Sequence, residues 1–213
     1  MISILLSRKI NYIKSHQIVN QSGFTLIELA VVLVIMGLII GTITPLIVSV
    51  IKRDKLAEGR DVVKIAKDEI MGYAFTNNVL PTASNWTNVV GHTTDPWHQT
   101  LFYVPAPNLF DATGTPLDVC SFSGSTGLSV NLCNDASCSS FQQKTDIAFV
   151  IGSSGENFNR QTSNGTSGVI NIYNYGIQAD DYLISPDPNR TSDGYDDIVI
   201  YVTLSEIVGR VCN

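Results

Sequence analysis

Residues 23–51 read GFTLIELAVVLVIMGLIIGTITPLIVSVI, from Gly23 to Ile51. From Phe24 onward the only ionisable side chain is Glu28, until Lys52 and Arg53 end the run. A bilayer core is spanned by ~20 apolar residues in a helix, so the stretch predicts a membrane-crossing helix. A secretory signal would instead have an apolar core of ~7–15 residues closed by a small-residue cleavage site. No such site follows Ser49, and the helix is expected to be retained. Glu28 is the odd member: a charge in hydrocarbon costs ~2.5–3.5 kcal/mol or more and calls for a partner. It needs a cation.

Gly23-Phe24-Thr25-Leu26-Ile27-Glu28-Leu29 followed by an apolar run resembles the processing and methylation motif of type IV prepilins and type II secretion pseudopilins. The resemblance implies a cut between Gly23 and Phe24 by a prepilin peptidase, methylation of the new amine on Phe24, and retention of the helix as the core of a filament. It also implies that Glu28 is the carboxylate used in assembly. Physical chemistry agrees, because the Phe24 amine of one subunit next to Glu28 of another would remove two buried-charge penalties at once. The fold implied is α+β, a type IV pilin-like ladle: one long N-terminal helix, half in the membrane and half amphipathic, on an antiparallel β-sheet head. The partners implied are the peptidase/methylase, other pilin or pseudopilin subunits and the bacterial inner membrane. The chain would cross once, with its head in the periplasm or outside, before joining a pilus or pseudopilus.

The rest of the chain is expected to divide as a leader over 1–23, the span over 24–51, an amphipathic helix over 52–79 and a β-rich head over 80–213. The leader region holds Arg8, Lys9 and Lys14 without an acid, and Ser22 stands where many prepilins have a basic residue. In the span, Gly37 and Gly41 form a small-xxx-small pair that permits close helix approach, and Pro45 removes one backbone hydrogen bond. Beyond it, Leu56, Val63, Ala66, Ile70 and Ala74 keep helical spacing opposite a charged face, to about Asn77.

Residues 71–213 carry four basic and thirteen acidic side chains, which argues against a nucleic-acid role for the head because phosphate binding requires a basic patch. Strand signals fall at Gln99–Val104, Ile147–Ile151, Val169–Tyr173 and Ile198–Val202, predicting one modest sheet. Asp95-Pro96-Trp97 and Asp196-Asp197-Ile198-Val199 resemble segments of pseudopilin heads, and Trp97 is read as a core residue. Between the first two strands lies an insertion over 105–145, rich in Ser, Thr, Gly, Asn and Asp, the place for surface function specific to this subunit.

Cys120, Cys133, Cys138 and Cys212 all lie in the head. An even count in a loop-rich setting points to two disulfides in an oxidising compartment, with three connectivities open. Cys133–Cys138 with Cys120–Cys212 is preferred, closing one small loop and tying down the chain end. Zinc is the other reading, disfavoured by the absence of C-x-x-C pairs. The stretch DPNRTSDGYDD offers Asp187, Asn189, Asp193, Asp196 and Asp197, oxygen ligands of the kind calcium takes, and some pseudopilins bind calcium near their C-terminal strands. A solvated turn is the plainer reading. No other cofactor is expected.

Catalytic fingerprints are missing: beyond residue 23 the histidines are His92 and His98, and no H-E-x-x-H, G-x-S-x-G or P-loop pattern occurs. Gly152-Ser153-Ser154-Gly155 is read as a turn. The expectation is a structural filament subunit without enzymatic activity, of low copy number. The alternative is a membrane-tethered binding module or tip adhesin that uses the 105–145 insertion.

Overall fold

Helix α1 runs from Leu26 to Asn77, so the apolar stretch and the amphipathic stretch form one helix. The computed structural model describes residues 24–163, 167–178 and 194–212. The chain divides into two units, one up to Val48 and one from Ser49 onward.

In the first unit the helix is apolar on every side and no described residue covers it: Leu26 is 86% exposed and Leu38 67%. By length and composition it suffices to cross a membrane. Its hydroxyls turn inward to its own backbone. Thr44 Oγ1 donates to the Ile40 carbonyl at 2.7 Å, and Thr42 Oγ1 to the carbonyl of Ile39 at 3.0 Å. In hydrocarbon, where water cannot satisfy a hydroxyl, this is the economical arrangement. Pro45 lies inside α1.

In the second unit α1 buries Gly59, Val63, Ala66, Ile70, Met71 and Ala74, steps of three and four that mark one face. Small residues at 59, 66 and 74 let the helix lie close. A Cβ on Gly59 would come within 2.8 Å of Ile198 Cδ1 and 3.1 Å of the Trp97 ring. The helix ends where Asn78 takes a left-handed φ of 58°, three residues ahead of Pro81.

The described residues of the head hold six strands: β1 Phe102–Pro105, β2 Ser129–Cys133, β3 Phe141–Lys144, β4 Ile147–Ser153, β5 Val169–Tyr173 and β6 Ile198–Thr203. They form two three-stranded sheets, β1-β4-β6 and β3-β2-β5. The first is antiparallel throughout, and its central β4 is buried at every position. Fully buried Phe149 and Ile151 on β4 are each worth roughly 1.5–3 kcal/mol of apolar transfer. The second sheet is mixed, with β2 antiparallel to β3 and parallel to β5. Two short α-helices, α2 Trp86–Val89 and α3 Leu204–Val211, and a 3-10 turn at Pro107–Leu109 complete the described head. The Thr203 side chain caps α3 by accepting the N–H of Glu206 at 3.2 Å.

The single four-stranded sheet expected from sequence is therefore replaced by two sheets. β2 and β3 lie inside the 105–145 stretch, and β5 joins β2 across a long sequence separation instead of joining β4 or β6. Gly152 and Ser153 also differ from expectation: they end β4, and the turn begins after them, with Gly155 at a φ of 72°.

Candidate functional site

The N-terminus of α1 is closed by its own side chains. Thr25 donates to Glu28 Oε2 twice, from its backbone N–H and from Oγ1, both at 2.9 Å, and the N–H of Glu28 donates back to Thr25 Oγ1 at 3.3 Å. This is a capping box, a hydroxyl residue and a glutamate three apart that satisfy each other's first-turn groups. The first N–H groups of a helix have no partner within it, and a carboxylate there also meets the positive end of the helix dipole. Glu28 thus has a structural task within one chain as well as the charge that the sequence singled out. Phe24 precedes the box and is 84% exposed. Gly23 lies outside the described residues.

The four cysteines form two pairs, Cys120–Cys212 and Cys133–Cys138, with Cα atoms 5.5 and 4.8 Å apart. The first ties α3 and the end of the chain to the loop before β2. The second closes the turn between β2 and β3, where the Asp135 carboxylate accepts the N–H groups of Ser139 and Ser140 at 2.9 and 2.8 Å. Hydrogen bonds from Ser137, Ser139 and Ser140 hold that carboxyl well below the usual range.

Of the five oxygen ligands considered for calcium, Asp187, Asn189 and Asp193 lie outside the described residues. Asp196 and Asp197 point their carboxylates at the chain itself. Asp196 Oδ2 accepts the N–H of Asn157 at 2.9 Å, and Asp197 Oδ2 those of Gln161 and Thr162 at 3.0 and 2.7 Å. Next to them the hydroxyls of Tyr195 and Thr162 share a hydrogen bond of 2.8 Å. Burial pushes Asp197 up to about 7, against the lowering effect of its hydrogen bonds, and raises Tyr195 further above its usual value. The pair pins the 157–162 segment beside β6. Among the described residues no group of three His, Cys, Asp or Glu side chains is placed to hold a metal ion.

Asp95 turns the chain before β1. Its Oδ1 accepts the N–H groups of Trp97 and Gln99 at 2.9 and 2.8 Å, and its Oδ2 takes the hydroxyl of Ser153 at 2.5 Å. In sequence Asp95 stands near His98, and Ser153 falls in a predicted turn. The structure makes Asp95 and Ser153 a buried structural pair, and Trp97 packs partly buried against the core.

Sequence reasoning missed the reciprocal Thr25–Glu28 bonding, although the T-x-x-E spacing that signals it is present. It also missed the tie from Asp197 to the 161–162 backbone, for which no local signal exists. Neither a curated protein nor a solved structure matches the chain. Residues 18–44 match the prokaryotic N-terminal methylation motif. Gly23, the Thr25–Glu28 capping box and the first part of the exposed apolar helix lie within that matched segment, so the chain carries a prepilin-type N-terminal methylation motif.

Proposed function

We propose that the chain is a structural subunit of a type IV pilus or type II secretion filament, cut between Gly23 and Phe24, methylated on Phe24 and assembled through α1. The observation that carries this reading is the Thr25–Glu28 capping box at the head of an uncovered apolar helix. A helix that begins in lipid has no water to satisfy its first N–H groups, and here a carboxylate does so while remaining available to a neighbouring amine. In this reading the peptidase and methylase act first. The helix then leaves the inner membrane to bundle with other subunits, Glu28 sets the register, and the acidic head coats the outside. The long head supports a subunit of low copy number.

The boundaries 1–23, 24–51, 52–79 and 80–213 belong to the same proposal, as do an N-terminus inside the cell and a head beyond the membrane. Two disulfides suit that side, where thiols oxidise. Calcium binding by the 187–197 stretch rests on its composition and on the family likeness. Because Asp196 and Asp197 both serve backbone N–H groups, the ligands would come from Asp187, Asn189 and Asp193.

The test is intact mass and N-terminal sequencing of the protein from its native membrane. A chain that begins at methylated Phe24 is the expected result; one that begins at Met1, or is cut beyond Ile51, overturns the reading.

A further inference from the structure

Lys52 and Arg53 immediately follow the last apolar residue of the membrane stretch, so whenever that stretch spans a bilayer they lie at headgroup depth. Two cations at such a point would be an ordinary end to a span. Here the head folds four distant residues onto the same place. A cleft of about 160 Å³ is lined by Lys52 and Arg53, by the carboxylates of Glu156 and Asp196, and by the aromatic rings of Trp97 and Tyr175.

The groups are complementary in kind and held from different elements. Glu156 pairs with Lys52 at 2.8 Å while both stay about half exposed, so the anion and the cation share one wall. Trp97 is fixed by the Asp95 turn and rests against Gly59 of α1. Tyr175 is 71% exposed, so its ring is open to a ligand in the cleft. Aromatic residues of this sort settle at membrane interfaces, where their rings sit among headgroups. Arg53 has no ion pair among the described residues, and a guanidinium is the side chain best matched to a phosphate fork.

We infer that this cleft binds the zwitterionic phosphoethanolamine headgroup of a membrane lipid. The Arg53 guanidinium and the Lys52 ammonium take the phosphate. The lipid's ammonium is met by Glu156 and by the faces of Tyr175 and Trp97, with Asp196 adding negative field behind them. The cleft is open to the surface and has room for a headgroup. A purely anionic lipid satisfies only the cationic half of the cleft, and a choline headgroup lacks the N–H donors for Glu156. The inference rests on the membrane-spanning reading and goes beyond the filament role.

The test uses the full chain in detergent, exchanged against equal amounts of phosphatidylethanolamine, phosphatidylcholine and phosphatidylglycerol, with retained lipid counted by native mass spectrometry. Phosphatidylethanolamine is expected to be retained about tenfold over each of the others, the ratio that ~1.4 kcal/mol of selectivity gives. Arg53→Gln and Tyr175→Ala should each lower that preference by at least about threefold with the melting temperature unchanged. Equal retention of the three lipids, a preference for phosphatidylglycerol, or a preference unaltered in both variants would overturn the inference. A chain that stays dispersed in buffer without detergent would overturn the span reading with it, a result distinct from unselective lipid retention.

Discussion

The Asp197 carboxylate accepts the backbone N–H of Thr162 at 2.7 Å from a buried position, and burial raises it to about 7. Oδ2 holds the two N–H groups, while Oδ1 is buried with no hydrogen-bond partner among the described residues and is the natural place for a proton. An acid raised in the fold binds more protons folded than unfolded between pH ~4 and ~7, so stability falls as pH rises across that window. A tenfold change in proton affinity is worth ~1.4 kcal/mol, which makes the whole effect a few kcal/mol at most. The expected result is a melting temperature about 5 °C or more lower at pH 8 than at pH 5. In Asp197→Asn, which keeps an acceptor oxygen and cannot ionise, most of that slope should vanish. Calorimetry across the range checks it, and a flat wild-type profile would sink the assignment. Asp135 and Asp111, both lowered, act in the opposite direction and only in the acid range, where protonation removes their hydrogen bonds.

Gly152 faces β6 so closely that a Cβ would stand 2.6 Å from the Ile198 carbonyl oxygen and 2.6 Å from Phe102 Cζ. One of these neighbours is backbone and cannot swing aside. Gly152→Ala should therefore cost ~1–3 kcal/mol, the usual range for an overpacked core. At Gly59 the nearest atom is the flexible end of Ile198, and Ala gains helix propensity of up to ~1 kcal/mol over Gly. Gly59→Ala should then be near neutral and Gly59→Leu clearly destabilising. Chemical denaturation of the three variants gives the order, and a Gly152→Ala as stable as wild type would mean that the sheet spacing described here is wrong.

The two disulfides differ in what they restrain. Cys120 and Cys212 are 92 residues apart in sequence, and Cys133 and Cys138 are 5 apart. On the chain-entropy account the long loop is worth ~4–5 kcal/mol and the short one ~2 kcal/mol. Cys120→Ser with Cys212→Ser should lower stability more than Cys133→Ser with Cys138→Ser. It should also loosen α3 selectively, seen as faster hydrogen exchange over Leu204–Val211. Equal losses from the two double variants would contradict this ordering.

Much of this fold is written in local pattern. The span, the amphipathic continuation to Asn77 and the strands at 147, 169 and 198 each follow from periodicity within a few residues. What was not legible depends on distant partners. β3 reads FQQK, with three exposed positions, and becomes a strand because β2 lies beside it. β5 shows itself as a strand, yet nothing in VINIY says that it pairs in parallel with β2 and not with β6. The α3 cap, Thr203-x-x-Glu206, was present but hidden behind a run of strand formers that leads directly into it. Asp196 and Asp197 looked like free ligands because composition shows oxygen atoms and not where they point. Their partners, at 157, 161 and 162, come from another part of the chain.

Glu28 carries two roles that one substitution can separate. As the glutamate three positions after the cap in a capping box it needs an acceptor oxygen at the right reach, which glutamine also provides. As the counter-charge to a neighbouring amine it needs its negative charge, which glutamine lacks. Thr25→Val removes the hydroxyl partner and leaves the charge. The expected pattern is that Glu28→Gln and Glu28→Ala are both cut after Gly23 but absent from sheared filaments, while Thr25→Val is incorporated at a reduced level. Helix capping by a hydroxyl is worth about 1 kcal/mol, enough to slow assembly but not to abolish it. Immunoblots of membranes and sheared filaments report the two steps separately. If Glu28→Gln assembles like wild type while Glu28→Ala does not, the cap is the property that assembly requires, and the charge pairing proposed between neighbouring subunits is wrong.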